Sequence, residues 1–134
     1  MAYVVINKKI GGFGLSTDQL EYLKDKACSA LSKGDVSSQD AEMCNMIRDE
    51  YKHMCRFLKE HPNEQYSGTL YPEQISDYYL YRSHPWLVEA VQKHPSEYAA
   101  VEYVDNQYYN IIERDDGTEY IITPALEGFI KSLN

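Results

Sequence analysis

The first third of the chain combines a short apolar run with a helical pattern. Residues 2–7 form a largely β-branched run that predicts a strand. Ser16 and Gln19 have the spacing of a capping box, and Gly34 is a typical residue just beyond a helix end. The apolar residues between them recur at helical spacing: Leu20, Leu23, Ala27, Ala30 and Leu31. We therefore predict a helix from about residue 17 to 33.

The next segment carries the strongest periodic pattern in the sequence. Ser37 and Asp40 form a second capping pattern, and the helix is expected to end by Glu60 because His61 precedes Pro62. Its apolar positions are Cys44, Ile47, Tyr51, Met54, Cys55 and Leu58. Both cysteines of this helix are therefore expected in the hydrophobic core.

The middle of the chain changes from loop to short elements. Residues 62–76 contain prolines, a glycine and polar residues and predict a loop, whereas residues 77–82 favour a strand. A short helix is expected to begin at Pro85, where proline suits the first helical position, and to end before Pro95.

The last third predicts a mainly antiparallel arrangement. Runs at residues 98–104, 107–114 and 118–123 read as strands, and Asp116-Gly117 between the last two is a hairpin signal. The tail, residues 125–134, is ambiguous and compatible with a short helix. The expected fold class is α/β (α+β), with four to five mostly antiparallel strands covered by about three helices.

Composition and charge narrow the function classes. The chain has 134 residues, which predicts a single domain (1–134), and its 13 basic and 21 acidic residues give a formal charge of −8. This balance argues against direct nucleic-acid binding, which needs clustered lysine and arginine. There is no apolar run near the roughly 20 residues of a membrane helix, and no signal-peptide pattern. With an odd number of cysteines, these features predict a cytoplasmic protein without membrane or disulfide framework.

Four consecutive residues, Gly11-Gly12-Phe13-Gly14, lie between the first strand and the first helix. They lack the spacing of a dinucleotide fingerprint or a phosphate loop. Two interpretations remain: a corner whose backbone N–H groups favour an anion, or a tight turn that needs positive φ and places Phe13 in the core. The tight turn is the favoured one.

No known catalytic or metal-binding pattern occurs in the sequence. There is no G-x-S-x-G, no H-E-x-x-H and no pair of carboxylates that stands out as an acid/base couple. We therefore predict no catalytic residue, no metal and no cofactor, and a binding protein rather than an enzyme.

Several residues have the chemistry of a nucleotide site. Thirteen tyrosines stand against three phenylalanines and one tryptophan, and a tyrosine ring can stack on a base. Arg82 precedes the Pro85 helix, where it could bind a phosphate or form a surface salt bridge. The amides of Asn7 and Asn110 could bind the polar edge of a base.

Three segments resemble a widespread family of small phage-encoded proteins. The opening VVINKKIGGFGLS matches the family's strand, Gly-Gly-Phe corner and Leu-Ser cap, and residues 82–91, RSHPWLVEAV, match its Arg, Asp-Pro and Leu-Val block, with His84 where aspartate is commoner. The third match is Asp116-Gly117 followed by Glu119 and the aromatic Tyr120. Residues 17–75 match no motif of the family.

This family is identified as including the Thoeris anti-defence sponge proteins, which sequester cyclic ADP-ribose isomers without cleaving them. The resemblance implies an α/β homo-oligomer, a dimer or larger, in the host cytoplasm, with pockets where protomers meet. Its ligand would be a small phosphorylated cyclic nucleotide, and some members also hold cyclic oligonucleotides. The implied ligand residues are Arg82, Tyr103 (or Tyr98) and Asn110, with Arg114 or Lys131 in place of a basic residue that the family carries after its last strand.

Two other functions are compatible with the sequence. An acidic phage inhibitor could bind a host nuclease or another defence protein directly, as DNA mimics of the anti-restriction or anti-CRISPR type do. Its acidic residues are interleaved with lysines, which weakens that interpretation. A small nucleotide-processing enzyme would convert its ligand, whereas a sponge would return it intact.

Overall fold

The computed structural model describes residues 2–34, 36–72, 80–106 and 108–133. Its elements, in chain order, are β1 (Ala2–Ile6), α1 (Thr17–Lys33), α2 (Ser38–Glu60), a 3₁₀ helix (Leu80–Ser83), α3 (Pro85–Lys93), β2 (Ala100–Val104), β3 (Asn110–Glu113), β4 (Glu119–Ile122) and α4 (Pro124–Ser132). The expected α+β class is confirmed. Within the described ranges the strands form two small antiparallel sheets, so their number lies at the low end of the expectation.

The predicted helix ends are confirmed by their hydrogen bonds. The Ser16 hydroxyl accepts from the Gln19 backbone N–H, and the Gln19 side chain accepts from the Ser16 N–H, which completes the capping box. The Ser37 hydroxyl accepts from the Asp40 N–H in the same way. Gly34 ends α1 in the left-handed region at φ 79°.

Two antiparallel pairings make up the sheets. β1 pairs with β2, with Tyr3 opposite Tyr103, and β3 pairs with β4, with Asn110 opposite Ile122. The turn between β3 and β4 contains Asp116-Gly117, as the hairpin signal predicted, and Gly117 has φ 90°. Residue 107, at the start of the predicted strand 107–114, lies outside the described residues.

The β1–β2 sheet contributes side chains to a core on each of its two faces. Because side chains alternate along a strand, Val5 points to the opposite face from Val4 and Ile6. Val5 belongs to the main core, which α1, α2 and α3 supply with apolar side chains. Val4 and Ile6 belong to a smaller core with Val104 of β2 and Ile111 of the β3–β4 hairpin. The layers are therefore helices, the β1–β2 sheet and the hairpin, in that order.

Some expectations were wrong. Residues 80–83 form a 3₁₀ helix and not the end of a strand, whereas residues 73–79, part of the predicted loop and strand, lie outside the described residues. The ambiguous tail forms α4, a fourth helix where about three were expected. Cys44 is buried as expected, but Cys55 and Leu31 are exposed. Among the helices of the described ranges, none has the length and apolar character to cross a bilayer.

His84 is the N-cap residue of α3. Its Nδ1 accepts the Trp86 backbone N–H at 3.1 Å, which is the hydrogen bond an N-cap aspartate would accept. The imidazole Nε2–H is then free to donate to Asp40 Oδ1 of α2, at 2.8 Å. One buried side chain thus caps α3 and links it to the first turn of α2.

We expect His84→Ala to lower the free energy of unfolding by about 1–2 kcal/mol, because the cap is lost. His84→Asn should recover much of that loss, since an asparagine oxygen accepts the same N–H while the link to Asp40 is weakened. Urea denaturation of the three proteins measures the difference. Equal stability of the alanine variant and the parent would show that His84 is not the cap.

Candidate functional site

The predicted site residues do not converge in one cavity. Asn7 and Arg82 are buried beneath the β3–β4 hairpin, with 0% and 1% of their surface exposed. Asn110 and Arg114 lie on the exposed side of the same hairpin. The buried pair and the exposed pair therefore belong to different parts of the molecule.

Arg82 forms a buried ion pair and not the ligand contact or surface salt bridge expected of it. Its Nη1 lies 2.8 Å from Glu119 Oε1 and its Nη2 lies 3.1 Å from Oε2, so the pairing is bidentate. Nη1 also donates to the Val5 carbonyl at 3.1 Å, and the guanidinium carbon lies 3.5 Å from the Phe13 ring centre. Both charged side chains are about 1% exposed.

The environment of Arg82 favours its charged form. Burial acts to lower the pKa of Arg82, but the hydrogen bond to Glu119 and the nearby Tyr81 and Glu119 side chains raise the pKa overall. Removing Arg82 would leave the Glu119 carboxylate buried without this partner. An Arg82 variant is therefore not a clean test of ligand binding with an intact fold.

Asn7 belongs to the same buried network. Its backbone N–H donates to Glu119 Oε1 at 2.8 Å, and its carbonyl accepts from the Glu119 N–H at 2.7 Å. Its side-chain Nδ2 donates to the carbonyls of Lys9 and Gly117 at 2.6 and 2.8 Å. The amide is occupied in joining β1 to the hairpin turn, so it offers no free edge to a base.

The glycine corner is a tight turn. Gly11 and Gly12 have φ values of 120° and 94°, and the Gly11 N–H donates to the Asp116 carbonyl at 2.9 Å. A Cβ on Gly117 would lie 2.4 Å from the Gly12 nitrogen, so the two turns meet backbone to backbone. Phe13 packs against the main core and under Arg82, as the tight-turn interpretation expected.

The two predicted tyrosines lie on two other surfaces, and Tyr98 is tied to the glycine corner because its carbonyl accepts from the Gly14 N–H at 3.1 Å. Tyr103 pairs with Tyr3 on the β1–β2 sheet, with ring centres 5.3 Å apart and about half of each side chain exposed. Tyr98 lines a separate groove beside the start of α1, together with Asp18, Glu64 and Glu97. The residues that line this groove include these three carboxylates and no lysine or arginine to offset them, so the Tyr98 groove does not suit a nucleotide diphosphate.

The outer face of the hairpin has the most suitable chemistry for a nucleotide. Asn110, Ile112 and Arg114 alternate along the strand direction and so share one face. The Arg114 guanidinium carbon lies 4.3 Å from the ring centre of Tyr120 on the neighbouring strand. Arg114 is exposed, and its Nη1 is 3.4 Å from the Thr118 hydroxyl.

α4 turns this face into a groove. Leu126 and Ile130 of α4 face Ile112 and Tyr120 across a space of about 640 Å³ that opens widely to solvent. Glu113, Arg114 and Asp115 complete its lining. We call this space the hairpin groove. Asn110 lies on the same strand face but does not line it.

Comparison with models of known protein families, with curated proteins and with solved structures finds no match to this chain. The chemistry of the hairpin groove must therefore be judged from its own residues. Within the part of the chain that the structure describes, no group of three or more His, Cys, Asp or Glu side chains could hold a metal ion.

The sequence indicated part of the hairpin groove and missed the rest. The sequence predicted Arg114, as an alternative to Lys131, as a basic residue that could contact the ligand. It marked Tyr120 only as the aromatic residue that follows the Asp116-Gly117 turn. The tail was compatible with a short helix, but nothing in the sequence assigned Leu126 and Ile130 of α4 to a site, although the apolar residues there repeat three and four positions apart.

A second group of titratable side chains joins α2 to the following loop. Glu50, which is buried, accepts a short hydrogen bond from the Tyr66 hydroxyl, and that oxygen lies 2.7 Å from Nδ1 of the exposed His53. Gly68 leaves room for this pair, because a Cβ there would lie 2.1 Å from Glu50 Oε1. Burial raises the pKa of Glu50 despite these hydrogen bonds, and raises the pKa of Tyr66 as well.

Because the pKa of Glu50 is raised, the free energy of unfolding is expected to depend on pH. A carboxyl whose pKa is higher in the folded than in the unfolded state contributes most to stability below its unfolded pKa, and that contribution is lost as pH rises through the folded value. Glu50→Gln removes the titration but keeps an acceptor for Tyr66. We expect the variant to gain stability relative to the parent between acidic and neutral pH.

Urea denaturation of parent and variant from about pH 4.5 to pH 8 measures this difference. Glu21→Gln is a matched control, because its carboxylate lies on the neighbouring helix and also accepts from a tyrosine, Tyr51. If the difference in stability between parent and Glu50→Gln does not change with pH, the pKa of Glu50 is not raised in the folded protein.

Proposed function

We propose that this protein is a non-catalytic binding protein that sequesters a small phosphorylated cyclic nucleotide, as an anti-defence protein of a phage would. The hairpin groove is the proposed site. The observation that carries the proposal is the exposed Arg114 guanidinium held over Tyr120 beside an apolar wall. This combination supplies a cation for phosphate and flat apolar surfaces for a base.

The geometry of Arg114 fits capture better than turnover. Arginine can bind phosphate through two parallel N–H groups, and a hydrogen bond to a charged group contributes about 1.5–3 kcal/mol. Sequestration needs affinity alone, so a site without an acid/base pair is sufficient. Glu113 and Asp115 beside Arg114 would restrict a phosphate to the guanidinium side of the groove.

The dimensions of the hairpin groove are also compatible with a nucleotide. Its volume of about 640 Å³ falls within the range of about 300–1,000 Å³ that small-molecule sites occupy. Its open side, however, leaves much of a bound ligand in water. A tight sponge therefore requires another surface to close the groove.

α4 offers the surface through which a second copy of the chain would close it. None of the α4 residues is buried, and its large apolar side chains, Leu126, Phe129 and Ile130, are exposed together with its C-cap residue Leu133. Apolar residues spaced three and four apart form a seam that another helix can cover. We therefore include a homo-oligomer, a dimer or larger, in the proposal.

The same α4 face supports one competing function. A contiguous apolar patch can bind a different protein as well as a second copy. A phage inhibitor that acts on a host nuclease or another defence protein would use α4 for that contact. This function predicts a complex with the host protein and no affinity for a cyclic nucleotide.

Arg114→Ala should weaken binding of a cyclic ADP-ribose isomer at least about tenfold, because a charge-assisted hydrogen bond to phosphate is lost. Calorimetry with the parent and variant measures the affinity, and the ligand released by heating should be recovered intact. Arg56→Ala is the matched control, since Arg56 is an exposed arginine on α2, outside the groove.

Three results would contradict the proposal. The parent could fail to bind any of the cyclic ADP-ribose isomers tested. Arg56→Ala could weaken binding as much as Arg114→Ala, which would place the ligand elsewhere. A chemically altered ligand after release would indicate an enzyme.

A further inference from the structure

One face of α2 carries a concentration of positive charge that the proposed nucleotide site does not use. Arg48, Lys52, Arg56 and Lys59 are all exposed. At 100° per residue they lie within a narrow sector of the helix surface, spread over about 16 Å of its length. Asn45 lies within this sector, whereas Cys55 borders it on one side and Asp49 borders it on the other. We call these four side chains and the surface between them the basic face.

Most of this charge has no ion-pair partner nearby. Arg48 contacts the adjacent Asp49 at 3.1 Å, but no carboxylate of the described residues pairs with Lys52, Arg56 or Lys59. The other nine basic residues of the chain stand against 21 acidic ones, which leaves the remainder at −12. The basic face therefore concentrates four positive charges on a protein whose other residues carry a net negative charge.

Helix stability accounts for only part of the basic face. Cations near a helix C-terminus interact favourably with the helix dipole, but the effect falls off within the last turn. α2 ends at Glu60, so Lys59 lies in that turn, whereas Lys52 and Arg48 lie two and three turns earlier. Helix capping gives no reason for those two to share the sector.

We propose that the basic face of α2 is a docking surface for an acidic helical segment of a protein partner. Arg48, Lys52 and Arg56 repeat every fourth residue, about 6 Å apart along the axis. An α-helix with glutamate or aspartate at every fourth position presents carboxylates at the same interval. Charge complementarity of this kind steers the partner and fixes its register.

The surroundings of the basic face favour an acidic helix over a nucleic acid. Glu42, Asp49 and Glu60 border it on the same helix. A duplex, with one charge for about every 1.7 Å of its axis, would extend beyond the strip and meet these carboxylates. A single strand would find no aromatic ring within the sector on which a base could stack.

Two exposed cysteines allow a direct test on the intact protein. Cys55 lies at the border of the basic face, next to Lys52 and Lys59 on the helix surface, whereas Cys28 lies on α1. The probe is a helical alanine-based peptide with glutamate at every fourth position. At low salt it should slow alkylation of Cys55 by the uncharged reagent iodoacetamide several-fold, while alkylation of Cys28 is unchanged. Mass spectrometry quantifies both sites in one sample.

The variant Lys52→Gln/Arg56→Gln should abolish this protection. Lys33→Gln/Lys131→Gln is the matched control, because it removes the same charge from exposed positions on α1 and α4 and should leave protection intact. Absence of protection in the parent, equal protection of Cys28 and Cys55, or equal loss in the control variant would overturn the proposal. So would an oligothymidine that protects Cys55 as well as the peptide does.

Discussion

The structure depends on one buried ion pair, between Arg82 of the 3₁₀ helix and Glu119 at the start of β4. It joins three parts of the molecule that are distant in the chain, because Glu119 also accepts the Asn7 N–H and Arg82 also donates to the Val5 carbonyl. The hairpin is a two-stranded sheet, which is marginally stable by itself. Its docking onto β1 therefore rests on this pair, on the small apolar core around Ile111, and on the hydrogen bonds that Asn7 and Gly11 make with the hairpin.

This arrangement determines where binding can occur. The charge of Arg82 is neutralised inside the molecule, and the Asn7 amide closes the hairpin turn, so neither faces a ligand. The docked hairpin presents its opposite face outward, and that face carries Arg114 and Tyr120. The ion pair thus supports the proposed site from behind and does not take part in it. α4, which follows β4 directly, is placed by the same docking.

Features fixed by neighbouring residues could be predicted from the sequence. The Ser16 capping box, the Ser37 cap, the Gly34 end and the Asp116-Gly117 hairpin each depend on contacts within a few residues, and all four are confirmed. Period-two alternation likewise places Asn110 and Arg114 on one face of the hairpin. Arg82 and Glu119 are 37 residues apart, and nothing local marks them as partners.

Two further differences between prediction and structure, at Cys55 and at α4, also depend on tertiary packing. Cys55 fits the helical period of α2 but lies at the edge of its apolar sector, where the neighbouring helix no longer covers it. The pattern of the tail was compatible with a short helix without deciding it, and a period cannot show whether the apolar face of a helix is covered within one chain. The groove that α4 forms with the hairpin is a product of tertiary placement, so only Arg114 of its lining was expected.

The most direct test of the central ion pair is a double-mutant cycle in urea denaturation, with Arg82→Met, Glu119→Gln and the double variant. Each single change leaves an uncompensated buried charge or polar group, and we expect each to lower the free energy of unfolding by about 3–5 kcal/mol. The double variant should lose much less than the sum of the two single losses. It should also fold under conditions in which a single variant does not. Small, additive losses would contradict the claim that this pair holds the hairpin to the rest of the protein.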